Sequence, residues 1–220
     1  MENVFYRIAY VIGSKNGFDD ERIKVIAYGL MALSQTIGIF ILSSVLGIIF
    51  GCLYESLAIF FIVGFIRKYT GGAHATTLIS CMIISVTVIL SMSAVARYTF
   101  SFVFKQLSVI DIRIIIIIVY VLIYSLIFIT VFKLAPVDSP NKPIKKPEKI
   151  KRLKNGSRII IISLFLSSIV LVWFSKYNYR FFTVANSALF ATLWQTLTLT
   201  KTGHKLINVL DRFIRIKKLD

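Results

Sequence analysis

His74, one of two histidines in the chain, stands seven residues before Cys81, one of two cysteines, in the stretch RKYTGGAHATTLISC from Arg67 to Cys81. A thiol with an imidazole in reach has the parts of a cysteine nucleophile: the base removes the proton and the sulfur attacks. Two cations and a Gly-Gly break precede the histidine, and positive charge favours a thiolate over a thiol. The same residues also read as a membrane-edge loop followed by an ordinary helix that contains a cysteine, since a cysteine in apolar sequence is commonly an inert small hydrophobe.

Spacing sharpens the first reading. In an unbroken helix, residues seven apart share a face but lie about 10.5 Å apart along the axis, with side chains leaning toward the N-terminus. Residues 71–76 must therefore unwind or fold back, and Gly71-Gly72 supplies the backbone freedom for it. His74 is expected at or before a helix start, with Cys81 about two turns into that helix. His74 would take the thiol proton and Cys81 would attack a peptide carbonyl to give a thioester. Backbone N–H groups after Gly72, or Arg67, could stabilise the oxyanion.

Arg67 and Lys68 read equally well as interfacial anchors. Cys52 has no histidine nearby and is expected to be structural; His204 is expected to be solvated. Asp138 could orient His74 only if its loop folds under the site. Glu55 precedes Arg67 by 12 residues, about 18 Å of helix, too far for a third catalytic partner. Two Cys and two His at scattered positions make neither a disulfide framework nor a metal site, and no cofactor is expected.

The elements that must position this pair are membrane helices. Of 220 residues, 57% are hydrophobic and the mean hydropathy is +0.80, in blocks too long for the core of a soluble domain. The formal charge of +16 is spread between the apolar runs, which argues for membrane orientation and against nucleic acid as the partner. No short apolar h-region with a small-residue cleavage site opens the chain.

Residues 1–24 read as an interfacial helix or a solvated lead-in. Residues 25–66 carry Glu55 as their single charge and are twice the roughly 20 residues that cross a bilayer. They should form a two-span hairpin turning near Gly47 and Gly51, with Glu55 at the far interface, where it can reach water. Residues 67–96 hold the site and a third span from Ala75, and 97–132 an outer loop and a fourth, in which Tyr120 and Tyr124 are packing or hydrogen-bonding groups. Residues 133–158 hold nine Lys or Arg and all four prolines, predicting an extended cationic loop rather than helix. Residues 159–200 complete the set with a short fifth span of 16 residues and a sixth, and 201–220 form a basic amphipathic tail helix. The fold class is thus all-α integral membrane, with about six transmembrane helices; the alternative is four to five spans with re-entrant segments.

With six spans and an inside N-terminus, 21 Lys plus Arg fall on the inside segments and 5 outside. That places both termini, His74 and the near end of the Cys81 helix at the cytoplasmic face of the cell membrane.

RKYTGGAH, Cys81 seven residues after the histidine, and KLAPVDSPNKPI after the fourth span together resemble the accessory gene regulator protein B (AgrB) family over nearly the whole chain. YGL at Tyr28 to Leu30 is similar to the family's first-span opening, although Met31 stands where many members have a polar or acidic residue. The resemblance implies a membrane cysteine endopeptidase that processes an autoinducing-peptide precursor for quorum sensing. It carries over His74 and Cys81 as the catalytic pair, with Arg67, Gly71 and Gly72 shaping the site. In such enzymes a thiol or hydroxyl of the precursor intercepts the acyl-enzyme to close a thiolactone or lactone. It further implies an AgrD-like precursor as partner and a homodimer. Lys142, Lys145, Lys146 and Lys149 could then attract an acidic segment of that precursor, or simply fix topology and bind anionic lipid. A peptidase that only hydrolyses, a small transporter and a noncatalytic scaffold stay open as alternatives.

Overall fold

The computed structural model describes residues 2–103, 109–137 and 146–216. Within them the chain forms eight helices: α1 Glu2–Lys15, α2 Asp20–Ile49, α3 Leu53–Thr70, α4 Leu78–Val103, α5 Val109–Leu134, α6 Pro147–Phe174, α7 Tyr179–Leu197 and α8 Lys201–Ile216. The described residues contain no strand; one isolated bridge joins Gly71 to Val137.

Four helices, α2, α4, α5 and α6, are long and apolar enough to cross a membrane. Their outward faces carry bare aliphatic and aromatic side chains, such as Ile41 and Ile48 on α2 and Leu122 and Leu126 on α5, as expected where hydrocarbon rather than water is the neighbour. The other two expected spans differ in kind. Helix α3 has 18 residues and includes Glu55, Arg67 and Lys68, and α7 lies in the interior, against α3, α4, α5 and α6.

Small side chains along α7, among them Ala185, Ser187, Ala188 and Ala191, are buried and let neighbouring helices approach closely. Its hydroxyls are satisfied within the helix: Ser187, Thr192 and Thr196 donate to the carbonyls of Thr183, Ala188 and Thr192 at 2.6–2.8 Å. Tyr120 of α5 donates to Asn186 at 2.5 Å, and Tyr124 pairs with Ser168 of α6 at 3.2 Å. These tyrosines are packing and hydrogen-bonding groups, as their sequence context suggests.

The α2–α3 hairpin turns at Phe50–Cys52, around Gly51, the second of the two glycines expected there, while Gly47 stays within α2. Cys52 is buried with its sulfur 3.8 Å from the Ser56 hydroxyl. Glu55 departs from expectation: it is 1% exposed, and instead of reaching water it faces Arg97 of α4 at 3.6 Å. The buried carboxylate is thus offset by a guanidinium that stays partly exposed.

Two boundaries also shift for local reasons. Helix α2 starts at Asp20, because Asp19 caps it by accepting from the Arg22 N–H, so the lead-in ends before Lys24. Helix α6 starts at Pro147 and runs 28 residues. Residues 147–158 are therefore helical rather than extended, since a proline at the first helical position costs no hydrogen bond. The 16-residue fifth span is the apolar end of this longer helix. Helix α8 is amphipathic through Ile216, as expected of the tail.

Candidate active site

Helix α3 ends at Thr70 and α4 begins at Leu78, so Arg67 and Cys81 lie on different helices and His74 on the segment joining them. This is the break that the seven-residue spacing required. The cause of the α4 start is Thr77, whose Oγ1 accepts from the Ser80 N–H at 3.2 Å while its hydroxyl donates to Ser80 Oγ at 2.8 Å. With this N-cap, Cys81 falls in the first turn of α4, with its N–H on the Thr77 carbonyl. The expected helix start at Ala75 and the two-turn depth of Cys81 are both corrected by the cap.

The joining segment is tied down on every side. Gly71 has φ +69° and ψ −144°, a conformation open essentially to glycine alone. A Cβ there would run into the Val137 carbonyl, and a Cβ on Gly72 would stand 2.6 Å from Thr198 Oγ1. Gln195 of α7 donates to the Gly71 carbonyl at 2.6 Å. The Ala73 N–H donates to the Thr198 carbonyl at 3.0 Å, and the Val137 N–H to the Thr70 carbonyl at 2.8 Å. Arg67 donates to the Ala73 carbonyl, and Thr76 donates its hydroxyl to Asp211 of α8 at 2.6 Å. Irregular backbone amid apolar helices persists only when protein groups satisfy it in this way. The Ala73 N–H is thus committed to Thr198, and the Arg67 guanidinium has one of its N–H groups on the Ala73 carbonyl.

Between α2, α3 and α4 lies a cavity of about 550 Å³ whose lining includes both His74 and Cys81, together with Arg67 and Lys68. Leu78, Cys81, Ser85 and Ile89 give it one face of α4; Phe60, Val63 and Phe65 of α3, with Gln35 and Ile39 of α2, give it the others. Cys81 is half-buried. Burial among these walls and, after it, the Arg67 charge hold the His74 imidazole well below its ordinary value, at about 4, even though much of the residue's surface stays open to the cavity. Both causes act in the same direction, so the ring is neutral near pH 7 and keeps a lone pair for a proton. Arg67 lines the same cavity as Cys81.

Lys146 and Lys149 are exposed at the start of α6, whose Gly156 packs on the ring of Tyr69 near the end of α3. Lys142, Lys145 and Asp138 lie outside the described residues. His204 sits in α8, partly exposed. Gln195, Thr198, Thr77 and Asp211 escaped the sequence reading. Asp211 alone left a trace, as the one acidic residue in the basic α8.

A bundle of apolar helices with a thiol and an imidazole on one cavity at a helix–loop–helix junction defines a helical membrane protein with a candidate cysteine site. Residues 5–199 match the family model Accessory gene regulator B, and the chain belongs to that family, AgrB, which is concerned with accessory gene regulator peptide processing. It is 34% identical over 216 residues to "Putative AgrB-like protein 2" of Clostridium perfringens (strain 13 / Type A), covering 97% of each chain. It is 32% identical over 215 residues to "Putative AgrB-like protein" of Clostridium perfringens (strain SM101 / Type A), again covering 97% of each. No solved structure matches.

Proposed function

We propose that this chain is a membrane cysteine endopeptidase that cleaves a quorum-sensing propeptide and passes the acyl group into a ring. The observation that carries the reading is the joint lining of one cavity by Cys81 and by His74, the latter held in its neutral form. His74 takes the Cys81 proton as the sulfur adds to the scissile carbonyl, and Arg67 offsets the oxyanion. Collapse breaks the C–N bond, and the proton on His74 passes to the leaving amine. A thiol or hydroxyl of the bound peptide then displaces Cys81 from the thioester, closing a thiolactone or lactone and returning the proton to the free thiol. Tethering gives that nucleophile a high effective concentration, and the apolar lining of the cavity disfavours competing water.

The family supplies the remaining parts of the proposal: an AgrD-like precursor, a homodimer, and a site at the cytoplasmic face, where the excess of cations also points.

Mass spectrometry after co-expression with candidate precursor peptides tests the reading. Wild type should yield a product lighter by one water than the linear fragment, and Cys81→Ala and His74→Ala should each abolish cleavage while inserting normally. Cleavage by Cys81→Ala would sink the mechanism, and a linear product alone would leave only a hydrolase.

A further inference from the structure

Helix α8 begins beyond residue 199, where the family match ends, and carries four Lys or Arg against one acid, Asp211. On a basic helix at a membrane surface a carboxylate belongs with the exposed cations. Instead Gly203, Ile207 and Asp211, four residues apart, form the line that faces the bundle, while Val209 and Phe213 lie exposed. Asp211 is 1% exposed, and a carboxylate so placed is costly unless it is paired and hydrogen-bonded.

Its partners lie at the candidate site. Oδ2 accepts from the Thr76 hydroxyl at 2.6 Å and from the Thr76 N–H at 3.4 Å, and Arg215 stands 3.5 Å away on the outer side. Burial alone would push this carboxyl up, but the Thr76 hydroxyl, the nearby Ser80 side chain, the Thr76 N–H and the Arg215 charge outweigh it and hold it below its ordinary range, although Oδ1 itself accepts no hydrogen bond. Thr76 is two residues from His74 and adjacent to Thr77, the N-cap of the helix whose first turn holds Cys81.

We propose that Asp211 is a positioning residue: from the inner face of α8 its carboxylate fixes Thr76, and through it both the segment bearing His74 and the helix turn bearing Cys81. It touches no reacting atom. Its relevance to catalysis rests on the proposed cysteine mechanism, whereas its effect on residues 71–77 does not. The tail helix thereby becomes part of the site rather than a membrane anchor alone, since displacing α8 would remove the anchor of Thr76.

The test uses the full chain in phosphatidylcholine–phosphatidylglycerol vesicles, with hydrogen exchange of residues 71–77 and site-resolved iodoacetamide alkylation of Cys81 against Cys52. Asp211→Ala and Thr76→Val should each speed exchange and slow Cys81 alkylation by about tenfold, the scale of one lost charge-assisted hydrogen bond. Asp211→Asn and Thr76→Ser, which retain an acceptor and a hydroxyl, should recover most of the loss. The double variant should be no worse than either single one. If Asp211→Ala fails to insert, Thr76→Val carries the same expectation. Unchanged exchange, failure of the conservative variants to rescue, or effects that multiply in the double variant would each overturn the proposal. Cleavage surviving Cys81→Ala would instead remove the cysteine mechanism and leave the exchange result standing.

Discussion

The side-chain amide of Gln195 donates to the carbonyl of Gly71 at 2.6 Å, joining residues 124 apart in the chain. The same nitrogen lies 3.1 Å from Thr70 Oγ1, so one buried side chain holds the end of α3 and the start of the segment that carries His74. Replacing it by leucine, of similar bulk, would leave the Gly71 carbonyl with only the longer bond from the Thr70 hydroxyl, at 3.2 Å. We expect Gln195→Leu to cost about 1–3 kcal/mol of local stability. Thermal unfolding in detergent should register that loss, and precursor cleavage should fall by one to two orders of magnitude.

Glycine substitutions should separate the joining segment from the rest of the bundle. Gly71→Ala combines a disfavoured φ of +69° with a collision against the Val137 carbonyl. Cleavage should be lost, and the Gly71–Val137 bridge with it. Gly29 lies exposed in the interior of α2 with nothing within 4 Å of a new Cβ. Gly29→Ala should be neutral or stabilising by about 0.5–1 kcal/mol. Equal loss in both variants would mean that the helices, not the segment, are sensitive.

The contrast between these glycines shows what the sequence could and could not reveal. The helical break at Gly71-Gly72 was legible, because the distance between His74 and Cys81 in a continuous helix is fixed by geometry. The α2–α3 hairpin was legible for the same kind of reason, since an apolar run of twice the bilayer thickness must fold back. What holds the break was not legible. Gln195, Thr198 and Asp211 reach it from more than 100 residues away, and nothing local marks a buried amide in α7 or a buried acid in α8. Glu55 was misplaced because its partner Arg97 lies on another helix. The helical start of α6 was not legible because four prolines within 133–158 favour extended chain, whereas Pro147 stands at the first helical position, where proline is tolerated.

The state of His74 leads to a prediction about pH. The imidazole protonates at about 4 in the folded chain against an ordinary 6.5, so between those values the unfolded segment binds a proton that the folded one refuses. Stability of the loop should therefore be full above about 6.5, fall as pH drops from there toward 4, and level off below. Activity governed by His74 as base should likewise lose its acid limb near 4. Arg67→Gln removes the second cause of the shift and should move that limb upward, though short of 6.5, because burial is the larger cause. A limb unmoved by Arg67→Gln would show that the guanidinium does not act on the ring.

The exposed cations at the head of α6 offer a simple electrostatic test. Lys146→Glu with Lys149→Glu should weaken processing of an acidic precursor, and the defect should grow as ionic strength is lowered, because attraction has been replaced by repulsion. Processing and insertion both unchanged would assign these lysines to topology or lipid instead.

The shape of the cavity makes a claim about substrate. Ser85 lies one turn beyond Cys81 on the α4 face that lines it, and Phe60, Val63 and Phe65 close the far side. A peptide acylated on Cys81 would direct its neighbouring side chains into this apolar space, where burying a large aliphatic or aromatic group is worth about 1.5–3 kcal/mol. Ser85→Phe fills that space from one turn beyond the thiol, on the same face of α4. We expect KM for a precursor with bulky apolar residues beside the scissile bond to rise about tenfold or more, with kcat for a small-residue variant of the same precursor largely retained. Helix content should stay as in wild type. A uniform loss of kcat for both precursors would mean that the cavity serves the catalytic pair itself and not the recognition of apolar side chains.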